Sequence, residues 1–401
     1  MPDAHTDPPP AIAVTPEPGG SHRVELSVQD RPVSRLWIVP FTLRVGAAMV
    51  RMDGIGGVGT DESHRLRGYS RRVLEHAVDR MRRGDAALGM LYGIRDFYAR
   101  FGFATAGPDH LLFLTDLERD AALPPGWAVR SLACGDLAAV RGLYGVATAN
   151  AVGAAVRAPN AGAWAQLARA ADGSGGDACR VLTDPRGQVR GYAWLARWCW
   201  YVSDNLEKAY PDALVVGEAV ADGPASADAV LAACRLWARE ERAVREVRQV
   251  VLGTAPEGPL AAAAMHQDAR FVHEFVACGG SMARVLDVER LLSSLAPELE
   301  RRLAAARPGF AGTLRLRTDL GDAVLRVGRG RVRLVPGGGA VPATDAEAVL
   351  DQGTLARLAL GAFAPEDLLA RLPAPPGPEA ARLLAALFPA RLPHMHLPDR
   401  F

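Results

Sequence analysis

The chain has 401 residues, 49% of them hydrophobic, which is enough for two or three cores and too long for one ordinary domain. A formal net charge of +1 argues against a nucleic-acid surface, which needs a basic face. The five cysteines (Cys134, Cys179, Cys199, Cys234 and Cys278) are odd in number and lack CxxC or metal-ligand spacing, so reduced thiols, no metal and a cytoplasmic setting are expected.

Residues 1–20, MPDAHTDPPPAIAVTPEPGG, are Pro-rich, with neither the basic start nor the apolar core of a signal peptide; disorder is expected. A first segment spans 21–124. RVELSVQ (23–29) and SRLWIVPFTLRVG (34–46) read as a hairpin around QDRPV, and 47–60 continues as strand. Val73, Leu74, Ala77, Val78 and Met81 recur at helical spacing, with Gly84 placed to stop the helix. AALGMLYG (86–93) is a strand, IRDFYARFGF a short helix capped by Gly102, and a return strand follows.

A second segment, 125–284, repeats this plan. WAVRSL is a strand, 134–144 a helix, 179–198 a hairpin turning at DPRGQ, 213–221 a strand, 226–240 an amphipathic helix and 247–254 a strand. An extended WLARWCWY (194–201) would put Trp194, Trp198 and Trp200 on one face, in the core or along a cleft between domains. In the third segment, 285–401, VLDVERLLSSLAPELERRLAAA reads as a helix pair. Three strands of alternating pattern (TLRLRTD, AVLRVGR, RVRLVPG) form a small antiparallel sheet, and two more helices precede the tail PARLPHMHLPDRF. No apolar stretch is long enough to span a bilayer.

One stretch asks for a ligand. GTDESHRLRGYSRRVL (59–74) puts arginines and a glycine between a strand and a helix start. Free N–H groups there, the helix dipole, Arg65 and Arg67 suit a phosphate, and Gly68 removes the Cβ that would keep it away. Arginine dominates the whole chain, Lys208 being the sole lysine, and a GC-rich genome accounts for that excess but not for this cluster. GIGGVG (54–59) satisfies G-x-G-x-x-G, but no helix begins inside it and Glu75, near the required spacing for the acid, falls within a helix; a bulged strand is the better reading.

The run R65-L-R-G68-Y-S70 resembles the Q/R-x-x-G-x-G/A coenzyme A turn of the GNAT acyltransferases, and YARFGF (98–103) matches as well. With the three-part order and the terminal LPDRF, the chain resembles the enhanced-intracellular-survival (Eis) family. The implied class is α/β to α+β: tandem GNAT folds, the first shortened at its N-terminus and the second degenerate, then a sterol-carrier-protein-like domain. The implied activity is transfer of an acetyl group from acetyl-CoA to a small-molecule amine, in a homo-oligomer. The resemblance implies that backbone at Val58 and Thr60 binds pantetheine and the thioester oxygen. It implies that Arg65, Arg67, Gly68 and Ser70 hold the pyrophosphate and that Gly93 lines the cofactor. Tyr98 matches the general acid, its alternative being a tyrosine packed on Phe97, Phe101 and Phe103. The carboxylate of Phe401 matches the base, its alternative being a frayed end. Asp399 is a second candidate base. His394 and His396 lack a third metal ligand and are placed at the pocket edge. A GNAT fold opens with a strand and two helices before the hairpin, and only the Pro-rich tail precedes Arg23, so a more open acceptor site is expected. The competing reading is a catalytically weakened acyl-CoA or lipid binding protein.

Overall fold

The computed structural model describes residues 9–119, 122–267, 269–306, 311–328, 330–335 and 345–401. The first strand is β1 (Ala11–Pro16), pairing antiparallel with β2 (His22–Val28). The expected disorder of 1–20 therefore fails for 11–16, whose Ile12 and Val14 pack on the core; residues 1–8 lie outside the described residues. β2 turns into β3 (Arg31–Val45) through Gln29 and Asp30, both at positive φ, as a tight hairpin requires. β4 (Ala48–Thr60), α1 (Tyr69–Arg83), β5 (Leu88–Gly93), α2 (Arg95–Tyr98) and β6 (Ala104–Thr105) follow. The apolar stripe of α1, Val73 through Met81, covers Val24, Leu26, Leu36, Ile38 and Ile55 of the sheet.

The chain continues through β7 (Asp109–Leu114), β8 (Ala128–Ser131), α3 (Leu137–Ala147), β9 (Val152–Ala155), α4 (Gly162–Ala171), β10 (Cys179–Thr183) and β11 (Val189–Trp194). Next come α5 (Glu207–Ala209), β12 (Ala213–Val216), β13 (Glu218–Ala221), α6 (Pro224–Glu241), β14 (Gln249–Gly253), α7 (Pro259–Met265), β15 (Arg270–Glu274) and β16 (Gly280–Val285). The expected boundaries at 124 and 284 do not follow the sheets. β7 sits between β14 and β15 of the second fold, and β16 sits between β5 and β6 of the first. The first fold lends β7 to the second and receives β16 and also β9, which pairs with β3, long-range pairings that local pattern cannot reveal.

The strand expected over 213–221 is split at Gly217. Val216 pairs with Leu252 of β14, whereas Glu218 pairs with Trp194 of β11, in a different sheet. A Cβ at Gly217 would lie 2.7 Å from the Leu195 carbonyl oxygen, so the break needs glycine. WLARWCWY is not extended either. The chain leaves β11 at Trp194 and turns at Ala196 (φ 55°). It is helical from Tyr201, so only Trp194 and Trp198 stack, at 6.4 Å.

In the third part α8 (Val288–Ala306) is one helix rather than a pair. Pro297 removes one hydrogen bond, but Leu291, Leu295, Leu299 and Leu303 hold both halves on one core. β17 (Gly312–Thr318), β18 (Gly321–Gly328), β19 (Arg331–Val335) and β20 (Ala346–Leu350) form a sheet in the order β19-β18-β17-β20. β20, not expected from the sequence, runs parallel to β17. α9 (Gln352–Leu360), α10 (Pro365–Ala370) and α11 (Pro378–Leu387) complete it. Its core is continuous with Leu43, Val45, Val50 and Met52 of the first sheet.

Candidate active site

β4 and β5 run parallel and pair only from Met52–Leu88 to Ile55–Leu91. Beyond that point the strands diverge, and the β5 side of Gly56–Thr60 has no ladder partner. β4 bulges at the same place: Arg35 faces Gly59 while Trp37 faces Gly56, and Gly57 takes φ 59°. A Cβ on Gly57 would lie 2.6 Å from the Trp37 ring. The GIGGVG run is thus a bulged strand end, and the backbone at Val58 and Thr60 is free to meet an extended ligand.

The glycine–arginine turn lies just past this edge. Gly68 caps α1 at φ 78°, and no side chain caps the first helical N–H groups. A Cβ there would meet nothing within 4 Å, so an anion can approach the amides. Arg65 and Arg67 are exposed, and among the described residues Arg65 has only a surface pair with Glu62 at 3.2 Å. Ser70 lies in the first turn of α1. Leu66 is also left-handed (φ 64°) and fully exposed, a conformation that costs a non-glycine residue about 1–2 kcal/mol.

Tyr98 closes α2 opposite this edge. Its ring leans over Gly93 at the end of β5, where a Cβ would lie 2.2 Å from Tyr98 Cε2; Gly93 is the seat of Tyr98. The ring packs edge-on against Phe97 at 4.9 Å and Phe103 at 6.5 Å, the contacts of the packing alternative, yet its hydroxyl makes no hydrogen bond among the described residues. Burial, helped by Cys278, pushes the phenol up to about 12, so it is protonated near neutral pH.

The chain end arrives from the other side. The Phe401 ring lies on Gly54, against Phe41 (5.0 Å) and Tyr92 (5.7 Å). A Cβ on Gly56 would lie 2.9 Å from the Phe401 carboxyl carbon, which places the terminal carboxylate where β4 and β5 part. The terminus is therefore not frayed.

The residues that hold this tail had no motif to betray them. Asp399 accepts hydrogen bonds from Arg157 Nε (2.7 Å), Arg157 Nη2 (3.0 Å) and the Tyr144 hydroxyl (3.0 Å), all buried. Arg157 also donates to Glu218, at 3.1 Å through Nη1, and Tyr192 donates to the same carboxylate at 2.7 Å. Burial would raise the Glu218 carboxyl, but Arg157 outweighs it and holds the group below its usual range. Asp399, the second candidate base, is committed to this cluster. Arg400 pairs with Asp109 of the exchanged β7 at 2.8 Å and lies over the rings of Tyr201 (3.9 Å) and Tyr92 (4.7 Å). His394 and His396 are buried, and desolvation lowers both imidazoles. They border a cavity of about 310 Å³ with Ala219, Val220, Thr254 and Leu260, beside the second fold. Among the described residues no three His, Cys, Asp or Glu groups are placed to hold a metal ion. The one sequence signal for the cluster was Glu218, a lone acid inside the apolar run ALVVGEAVA.

Residues 22–106, which hold this parallel pair of strands that splay beside a phosphate-type turn, match the family described as "Acetyltransferase (GNAT) domain". That domain implies transfer of an acyl group from an acyl-CoA donor. Solved structures extend the likeness in fold to nearly the whole chain. A GCN5-related N-acetyltransferase from Kribbella flavida matches with a TM-score of 0.66 and 21% identity, covering 94% of this chain and 87% of that one. Another from Anabaena variabilis matches at 0.69 and 18%, covering 94% and 89%. Eis1 from Mycobacterium abscessus matches at 0.61 and 18%, covering 94% and 90%. No match is found among curated protein sequences. Among the described residues no helix is long and apolar enough to cross a membrane.

Proposed function

We propose that this chain is an acetyl-CoA-dependent N-acyltransferase that acetylates an amine of a small molecule by direct attack. The observation that carries the reading is the Phe401 carboxylate lodged beside Gly56 where β4 and β5 part. Acetyl-CoA would lie with its pyrophosphate on the Arg65–Ser70 turn and its thioester along the free edge at Val58–Thr60. The Phe401 carboxylate takes a proton from the amine, whose nitrogen attacks the thioester carbon. The tetrahedral adduct then breaks its C–S bond, and Tyr98 protonates the departing thiolate. A phenol raised to about 12 keeps that proton until the thiolate leaves. Products are the amide and the free thiol.

β1 and β2 are joined by Glu17–Ser21, a single short 3-10 turn (Pro18–Gly20) with no α-helix between them. A connection this short leaves out the helices that would cover the acceptor side, which favours a bulky or carrier-bound amine. Residues 285–401, a small mixed sheet backed by helices, we read as a sterol-carrier-protein-like domain. The test is acyl transfer from acetyl-CoA to a panel of primary amines by the full chain, by Tyr98→Phe and by a chain ending at Arg400. Loss of turnover in both variants, with acetyl-CoA affinity retained, supports the assignment. Full turnover in both rejects it.

A further inference from the structure

The second fold has lost the phosphate turn, yet its strands split as those of the first do. β12 pairs with β14 and β13 with β11, and the parting falls between Gly217 and Gly253. The tail runs past this split before it reaches the first. Leu397 fills the space a side chain would need at Gly253, where a Cβ would lie 2.5 Å from Leu397 Cδ1. Its carbonyl accepts a hydrogen bond from Cys199 Sγ at 3.0 Å. Next come Asp399 on Arg157 and Arg400 on Asp109, consecutive charges of opposite sign, each buried on a partner outside the tail.

Buried ion pairs of this kind are poor sources of stability, because desolvation offsets much of their attraction. They are good at fixing register. A tail shifted by one residue would bring Arg400 to Arg157, cation on cation, and leave Asp109 facing Phe401 without a cation. Arg157 is itself also held by Glu218, by the Tyr144 ring at 3.9 Å and by the Trp164 ring at 4.7 Å. Those contacts of Arg157 do not involve the tail.

We propose that the split sheet of the second fold is a receptor for the C-terminal tail, and that Arg157, Asp399, Asp109 and Arg400 are positioning residues that set the Phe401 carboxylate in the first fold's active site. This rests on the reading of that carboxylate as the base. The second fold thereby contributes to the reaction without binding a donor.

Asp399→Asn is the informative variant, because Arg157 still keeps Glu218 as its counter-charge and the fold loses one of two carboxylates on one guanidinium. Arg157→Lys is the second variant; it retains the charge and loses the planar fork. Carboxypeptidase A, which releases C-terminal aromatic residues, reports tail release without any acceptor. Phe401 should be released at least tenfold faster from either variant than from the wild type. With 2-phenylethylamine as probe acceptor, kcat should fall at least tenfold toward that of the chain ending at Arg400, while the acetyl-CoA Kd stays near wild type at a temperature where the variants remain folded. Equal resistance to carboxypeptidase in both variants overturns the proposal. So does full kcat in both variants when the truncated chain is inactive. If the truncated chain keeps full activity, the base assignment fails, and faster Phe401 release still identifies the receptor.

Discussion

Gly54→Ala tests the seat of the chain end with the smallest available change. A methyl group at Gly54 would lie 2.4 Å from Phe401 Cε2, 2.5 Å from Cζ and 2.6 Å from Cδ2. Carbon atoms in ordinary contact are about 3.5–4.0 Å apart, so the ring must retreat by about 1 Å. Phe41 and Tyr92 pack against the same ring at 5.0 and 5.7 Å and limit its retreat, so the ring leaves its seat. The apolar burial lost is about 1.5 kcal/mol for a half-buried phenyl, a fall of only about 2–4 °C in the thermal midpoint. The effect on chemistry is larger: a general base out of position costs about 100- to 10,000-fold in rate. Thiol release from acetyl-CoA in the presence of an amine panel measures kcat, and calorimetry measures acetyl-CoA affinity. The expected outcome is a kcat near that of the chain ending at Arg400, with the Kd within about twofold of wild type. A Gly54→Ala protein that turns over at the wild-type rate, beside an inactive truncation, would falsify the link between ring seat and carboxylate position.

Gly68→Glu places a negative charge where the pyrophosphate is to lie, in open space, so acetyl-CoA binding measured by calorimetry should be lost with little change in fold; Gly68→Asn, which tolerates the left-handed backbone, should retain most of it. Tyr98→Phe keeps the ring on Gly93 and should lower kcat about 100-fold or more while leaving the acetyl-CoA Kd unchanged. Glu298 receives hydrogen bonds from Arg301, Arg302 and the Ala47 N–H, which outweigh burial and hold its carboxyl at about 2 rather than 4.5. A depressed carboxyl stabilises the fold above its unfolded value, so wild-type stability should fall as pH drops from about 4.5 to about 2. Glu298→Gln should be less stable at neutral pH and lose that segment of the acid dependence in urea melts.

Much of the first fold was legible because its elements carry local signals. The α1 stripe, the stop at Gly84 and the Gly102 cap all fall where spacing put them. The bulged reading of GIGGVG held because nothing in TDESH starts a helix inside the glycine run. The glycine–arginine turn before α1 was readable as a motif, although the left-handed Leu66 within it was not, since no residue type announces that conformation in leucine. What escaped were features made by distant pairing. Ala11–Pro16 looks disordered by composition, and only the β2 edge makes it a strand. The clamp on the tail joins Asp399 to Tyr144 and Arg157, and Arg400 to Asp109, across more than two hundred positions that no local pattern connects.

The strand exchange and the tail answer to one geometric demand. Asp109, which holds Arg400, opens the strand that the first fold lends to the second, and β16, lent in return, lies beside β5 at the edge of the catalytic splay. Ser281 of β16 pairs with Tyr92, and Tyr92 packs against both the Phe401 ring and the Arg400 guanidinium. Cutting the chain at residue 124 would leave β7 without β14 and β15, and β5 without β16. The first fold expressed alone should therefore lack a complete sheet as well as the proposed base, and adding the remainder in trans should restore activity only where the two pieces refold together. The two folds are one structural unit, because the carboxylate that ends beside Gly56 of the first fold is carried by a tail that the second fold holds.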